Sequence, residues 1–362
     1  MRPAFSSTRQ AVAFLVLLSL LLLSPVLAGK WLLPPREEVY TSTPLHYAPS
    51  HYLFDQIYRE KQDIDIAFIG SSRIRYDIDT PYVEKKLSEK LGRKAVVVTL
   101  GWSWSGCDAL YFITRDLLQN RKVHLIVFTE ELYQENAPHR AASYWFRYGD
   151  DAGALKDLSL PLQSAYYYGA VLRIPRNLLG LIRPNDPRLQ PIAAAVFDHG
   201  DPTDMLGAAF VPFNFNENPG TKSLFVHYSP ITAADPDEVC VYSKTNRLFN
   251  FEHSAAPLQL HFAHEFGEVI KRSNTPLVYL HLPALSEAKA KMISEREYWP
   301  DVVGTNLTMF GIPPATMFSG LNESEIKKLF FNPLHLNENG QEYFTRLITP
   351  GLLQIYESKA ER

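Results

Sequence analysis

Three short apolar runs recur along one stretch of this chain at nearly the same pace. Ile64 to Ile69, Ala95 to Leu100 and His124 to Thr129 each span about six residues, with helix-patterned segments between them. Runs of this length suit strands buried on both faces, and the first is apolar but for Asp65 near its start. Between the first two, Thr80-Pro81 offers an N-cap and an N1 proline. Val83, Leu87 and Leu91 follow at helical spacing, and Gly92 marks the stop. Between the second and third, Leu110, Ile113 and Leu117 predict a helix from about Gly106 to Gln119. Strand, helix, strand, helix, strand calls for right-handed crossovers and a parallel sheet, so the predicted fold class is α/β.

The alternation lapses from about 132 to 255, a stretch rich in proline, aromatics and Asn/Asp, with helix expected within Ala154 to Ile182. It reads either as a packing insertion or as a cap that carries specificity. Regular structure resumes with a helix over Pro257 to Lys271 and a strand over Pro276 to Leu282. A C-terminal helix follows from about Gly340, broken at Pro350-Gly351. The expected organisation is a hydrophobic segment over 1–28, a stalk over 29–62 and an α/β domain over 63–358 with the 132–255 insertion.

Arg2 and Arg9 precede an apolar stretch from Ala11 to Ala28. Val26-Leu27-Ala28 before Gly29 resembles a signal-peptidase site, while the length also suits a single anchor of roughly 17–25 residues. Cleaved signal and membrane anchor both stay open, and either exports the rest of the chain. A net charge of −3 with scattered basic residues argues against nucleic acid as a partner. Cys107 and Cys240 are the only cysteines, and a disulfide and two free thiols are both open. His261, His264, Glu265 and Glu268 lack His-Glu-x-x-His spacing, so neither a metal nor a cofactor is expected.

Ligands of such sheets bind beyond the carboxyl ends of the strands. The strands bring Ser71 and Ser72, then Gly101, then Glu130 and Glu131, then His281 to that edge, and His335 sits in a turn before the last helix. A nucleophilic serine needs a base and N–H groups facing the developing oxyanion. Ser72, His335 and Gly101 are residues of those kinds.

These residues carry a resemblance to the SGNH (GDSL-type) hydrolase superfamily. Gly70-Ser71-Ser72 matches its nucleophile block, Gly101 its second block, and Asn332-Pro-Leu-His335 with Gly340 its last block. The Phe-Ile-Gly-Ser-Ser-Arg73 wording looks most like the exported, membrane-anchored branches, some of which acetylate or deacetylate cell-surface polysaccharides. The resemblance implies a three-layer α/β/α, flavodoxin-like sheet. It further implies Ser72 as nucleophile, His335 as base, and the Ser72 and Gly101 amides as oxyanion donors. Ser71, Arg73, Glu130, Glu131, Asn136 and His281 would line the cleft.

Two departures stand out. Phe128-Thr129-Glu130-Glu131 lacks the third block's asparagine, for which Asn136 is the nearest substitute. Asn332 stands where an aspartate is usual, and Glu130, Glu131, Asp77 and Asp79 are the carboxylates that could replace it. The expectation is an esterase or O-acyltransferase acting on acyl esters, acetyl above all, of cell-surface or extracellular glycans, as part of envelope polysaccharide machinery. The alternative is a non-catalytic glycan-binding or scaffold protein on the same fold.

Overall fold

A computed structural model describes residues 5–32, 35–41, 50–102, 104–129, 135–171, 249–251, 256–289, 293–295, 299, 307–330 and 332–360. The chain divides into two compact units, one formed by 1–44 with 140–192 and the other by 45–139 with 193–362.

The larger unit is built on five parallel strands: β1 (Ile64–Gly70), β2 (Val97–Gly101), β3 (Val123–Phe128), β4 (Leu277–Leu280) and β5 (Leu307–Phe310). Their order is β2-β1-β3-β4-β5, the doubly wound order in which the chain first steps one way from β1 and then the other. Side chains alternate across the sheet. Ile66 and Phe68 join one apolar core with Leu125, Val127, Val278 and Leu280. That face is covered by α2 (Ser72–Asp77), α3 (Thr80–Leu91) and α9 (Glu338–Ala360), through Ile74, Val83, Leu87, Phe344, Ile348 and Leu352. Ala67, Ile69 and Phe128 point to the other face and are equally buried. There α4 (Cys107–Asn120) packs on α8 (Pro257–Ser273), with Phe112 against Phe262 and Phe128 against Phe266. A short parallel pair, Phe249–Phe251 with Ile293–Glu295, lies apart from the main sheet.

Local chemistry explains most boundaries and two departures from the sequence expectations. The cap of α3 is Asp79, one residue before the expected Thr80, because its carboxylate accepts the Tyr82 N–H at 3.1 Å. Gly92 ends that helix at φ 64°, where a Cβ would be strained. Pro350 does not break α9, which runs on to Ala360. Leu352, Ile355 and Tyr356 beyond it are buried on the sheet, and their burial outweighs the roughly 3 kcal/mol a mid-helix proline costs. Residues 50–62, the end of the segment read as a stalk, lie within the larger unit. Tyr52, Leu53 and Ile57 are fully buried there, and Arg121 donates to the Gln56 and Gln62 carbonyls. Gly340 is required by close approach, since a Cβ there would stand 2.0 Å from the Leu329 carbonyl oxygen.

The smaller unit holds α1 (Thr8–Leu32) and three helices from the insertion, α5 (Ala142–Trp145), α6 (Tyr148–Leu155) and α7 (Leu160–Val171). Arg36 donates to Asp151 at 3.0 Å and to the Trp145 carbonyl, tying the two chain segments together. Along α1 the side chains of Val12, Phe14, Leu15, Leu17, Leu20, Leu21 and Leu23 are exposed. Among the described residues no helix is long and apolar enough to cross a membrane; the α1 side chains are described over 5–21 and at Leu23. Cys107 is buried, and Cys240 lies outside the described residues.

Candidate active site

β1 ends at Gly70, and the chain turns at once into α2. Ser71 is the N-cap of that helix, its Oγ accepting the Arg73 N–H at 3.4 Å, so Ser71 is buried as a structural cap. Ser72 is the first helical residue. Its Oγ lies 2.9 Å from His335 Nε2, across 263 residues of sequence. On the other side of the ring, His335 Nδ1 lies 3.0 Å from Asn332 Oδ1. A serine, an imidazole and an oxygen acceptor are thus in line at the carboxyl edge of the sheet.

The amide of Asn332 is held in one orientation. Its Oδ1 also accepts the backbone N–H groups of Leu334 at 2.9 Å and His335 at 3.0 Å. An NH2 group turned that way would face two donors, so the oxygen must occupy the position. Nδ1 of His335 therefore carries the proton, which leaves the Nε2 lone pair free to accept from Ser72. Replacing a triad aspartate by asparagine ordinarily selects the wrong tautomer. This turn avoids that fault by bonding the amide oxygen three times.

Charge is a separate matter. Among the described residues no carboxylate hydrogen-bonds His335. Burial, with the positive charges of Arg73 and Arg75, lowers its pKa to about 4. The imidazole is consequently neutral at physiological pH, correctly oriented, and a weak base. Tyr76 packs against its ring with centroids 4.8 Å apart.

Arg73 and Asp77 fasten the histidine turn to α2. Arg73, expected as a cleft residue, is buried and donates through Nε to the Leu334 carbonyl at 3.1 Å and through Nη2 to those of Leu282 and Pro283. It joins the loop after β4 to the loop that carries His335. Asp77 Oδ1 accepts the Leu336 N–H at 2.8 Å, so this carboxylate fixes the residue after the base and does not touch the ring. Asp77 Oδ2 has no hydrogen bond, with Arg73 Nε 3.8 Å away. Asp79, as the α3 cap, is likewise committed elsewhere.

Burial raises the Asp77 carboxyl to about 7, against the opposing charge of Arg73 and the Leu336 N–H. The folded chain then holds this proton up to about pH 7, whereas the unfolded chain releases it near pH 4. Stability contributed by the protonated form is full below pH 4 and is lost as pH rises through about 7. Asp77→Asn keeps the acceptor for Leu336 and removes the charge. Its unfolding at pH 8 is expected to require on the order of 1–2 kcal/mol more than wild type, with the gap closing by pH 4. Denaturant titration at the two pH values measures this; an unchanged gap, or a less stable variant at pH 8, would refute it.

Gly101 ends β2 directly opposite Gly70. A Cβ at 101 would fall 2.4 Å from Arg75 Cγ, so the glycine makes room for an arginine stem beside the strand end. Trp102, next in sequence, is fully buried and offers no face to a ligand, whereas Trp104 is 41% exposed. Trp104 adopts φ 65°, an unusual conformation for a bulky residue, with its ring 6.4 Å from that of His139. His281 is buried, its Nε2 3.4 Å from Glu287 Oε2. Asn136 is exposed, and its carbonyl caps α8 through the Leu258 N–H at 3.1 Å, so that oxygen serves the helix. Glu130 and Glu131 lie outside the described residues.

Of the sequence candidates, the structure brings Ser72, His335 and Asn332 together, with Gly101 on the neighbouring strand end. Arg75 and Tyr76 were not among them. The clue was the run Arg-Ile-Arg-Tyr-Asp straight after the serine, whose helical spacing puts positions 75 and 76 one turn from 72. A groove of about 560 Å³ opens at the opposite edge of the sheet, where Val123 and Pro276 lead into β3 and β4. It is lined by Arg121, Lys122, His124 and Lys359, far from this chemistry. No family model, curated protein or solved structure matches the chain.

Proposed function

We propose that this protein is an exported, SGNH-like serine esterase or O-acyltransferase acting on acyl esters of glycans. The observation that carries the reading is the bonded series Ser72 Oγ, His335 Nε2, His335 Nδ1, Asn332 Oδ1 at the carboxyl edge of a doubly wound parallel sheet. In this mechanism Ser72 attacks the ester carbonyl as His335 takes its proton at Nε2. The acyl-enzyme forms when the alcohol leaves with that proton, and water or a sugar hydroxyl then receives the acyl group. Trp104, exposed three residues beyond Gly101, offers a flat apolar face for a sugar ring. The exposed apolar residues of α1 support attachment to a membrane, with the catalytic unit outside it.

The full-length chain is expected to hydrolyse an aryl acetate and to be labelled at Ser72 by a serine-trapping phosphonate. Because the base is the neutral imidazole, kcat/KM should stay level from pH 8 down to about 5.5 and fall only as pH approaches about 4. Folded protein that neither turns over nor becomes labelled would return the chain to a binding or scaffolding role.

A further inference from the structure

Buried arginines in the larger unit come with partners. Arg73 donates to three carbonyls, Arg121 to the carbonyls of Gln56 and Gln62, and Arg115 to Asp116. Arg75 departs from this pattern. It is only 7% exposed, its Nε is enclosed without a hydrogen bond, and among the described residues it forms no ion pair. A guanidinium cannot shed its charge to escape burial, so an uncompensated one is costly. The fold has nevertheless shaped itself around this side chain, since glycine at 101 is what lets the stem pass.

The placement of Arg75 is specific. It follows Ser72 by three residues on α2, so the two share a helix face with Tyr76, the residue packed on His335. Its Cγ and Cδ lie along Gly101, the strand end opposite Gly70. A cation without an ion-pair partner among the described residues thus has its stem against the Gly101 strand end, and its charge is felt at His335, the residue bonded to Ser72.

We propose that Arg75 is a catalytic residue that donates to the carbonyl oxygen of the ester as it becomes an oxyanion, in place of the asparagine that the segment after β3 lacks. This rests on the esterase reading above. When Ser72 Oγ bonds to the acyl carbon, its proton passes to His335 and the carbonyl π pair moves onto oxygen, to which the guanidinium donates hydrogen bonds. Collapse restores the C=O bond and expels the alkoxide, which takes the proton from His335. Water or a sugar hydroxyl then attacks the acyl-enzyme, giving its proton to His335, and Ser72 Oγ leaves and takes that proton back, with the same donation to the second oxyanion.

Arg75→Met and Arg75→Lys in the full-length chain provide the test, with aryl acetate kinetics, phosphonate labelling of Ser72 and thermal unfolding as readouts. For Arg75→Met, kcat should fall about 10²- to 10³-fold with KM within a few-fold of wild type, and labelling should slow in parallel. Its Tm should match or exceed that of wild type, because a buried charge with no ion pair among the described residues has been removed. Arg75→Lys should recover part of kcat. Should Arg75→Met fail to fold, Arg75→Gln is read in the same way. Undiminished kcat overturns the proposal, and so does a defect seen only as a raised KM for acidic oligosaccharide esters, which would make Arg75 a carboxylate-binding residue. Folded wild type that is not labelled at Ser72 defeats the esterase reading itself. A labelled wild type with equally labelled Arg75→Met defeats only the assignment of Arg75.

Discussion

Ser72→Ala is expected to leave a folded protein with esterase turnover lowered by at least about 10⁴-fold, and His335→Ala to do the same. Both residues are partly exposed at the sheet edge, and the Ser72 side chain bonds only to His335 among the described residues. Deleting the hydroxyl therefore removes no packing, and the thermal midpoint should move little. The double variant should be no worse than either single one, because nucleophile and base act as a unit. Rates for the three variants and the wild type measure this. If Ser72→Ala retained a tenth of the activity, the bonded serine and histidine would be a structural pair, and the reacting group would have to be sought elsewhere.

How much of this was legible in the sequence depends on how local each signal is. Four of the five parallel strands were readable because short apolar runs between helix-patterned segments admit few other folds, and Gly92 carried its own stop signal; the four-residue β5 was not. The serine and histidine were readable as chemistry at strand and helix ends, though only folding could bring them within 2.9 Å. What was hidden is tertiary. A proline marks a helix break in local terms, and only the burial of Tyr356 and its neighbours on the sheet overrides it at Pro350. Gly101 was legible as a candidate oxyanion donor, but not the close approach of the Arg75 stem that its lack of a side chain permits, a contact between two strand-end segments that spacing does not reveal. Asp77 was one of several carboxylates that could have replaced the missing aspartate. Folding commits it to the Leu336 N–H, one residue past the base.

Asn332→Asp is expected to make the protein a better catalyst. Loss of the aspartate in a serine triad ordinarily costs about 10⁴ in turnover, a figure that includes an imidazole held in the wrong tautomer. Here the tautomer is already right, because Leu334 and His335 N–H groups hold the amide oxygen against Nδ1. The deficit left is electrostatic: the imidazolium that would form during attack has Arg73 and Arg75 nearby and, among the described residues, no carboxylate bonded to it. A carboxylate at 332 would accept the same three N–H groups and supply that charge, so kcat should rise by at least tenfold and by less than about 10⁴-fold. The pH profile offers an independent reading. A negative neighbour favours the protonated ring, so the acid limb expected near about 4 in the wild type should move upward. A higher kcat with an unmoved limb would show that the introduced carboxylate works by geometry alone. A limb that moves without any gain in kcat would show that proton transfer to His335 does not limit the rate, and that some other step governs turnover.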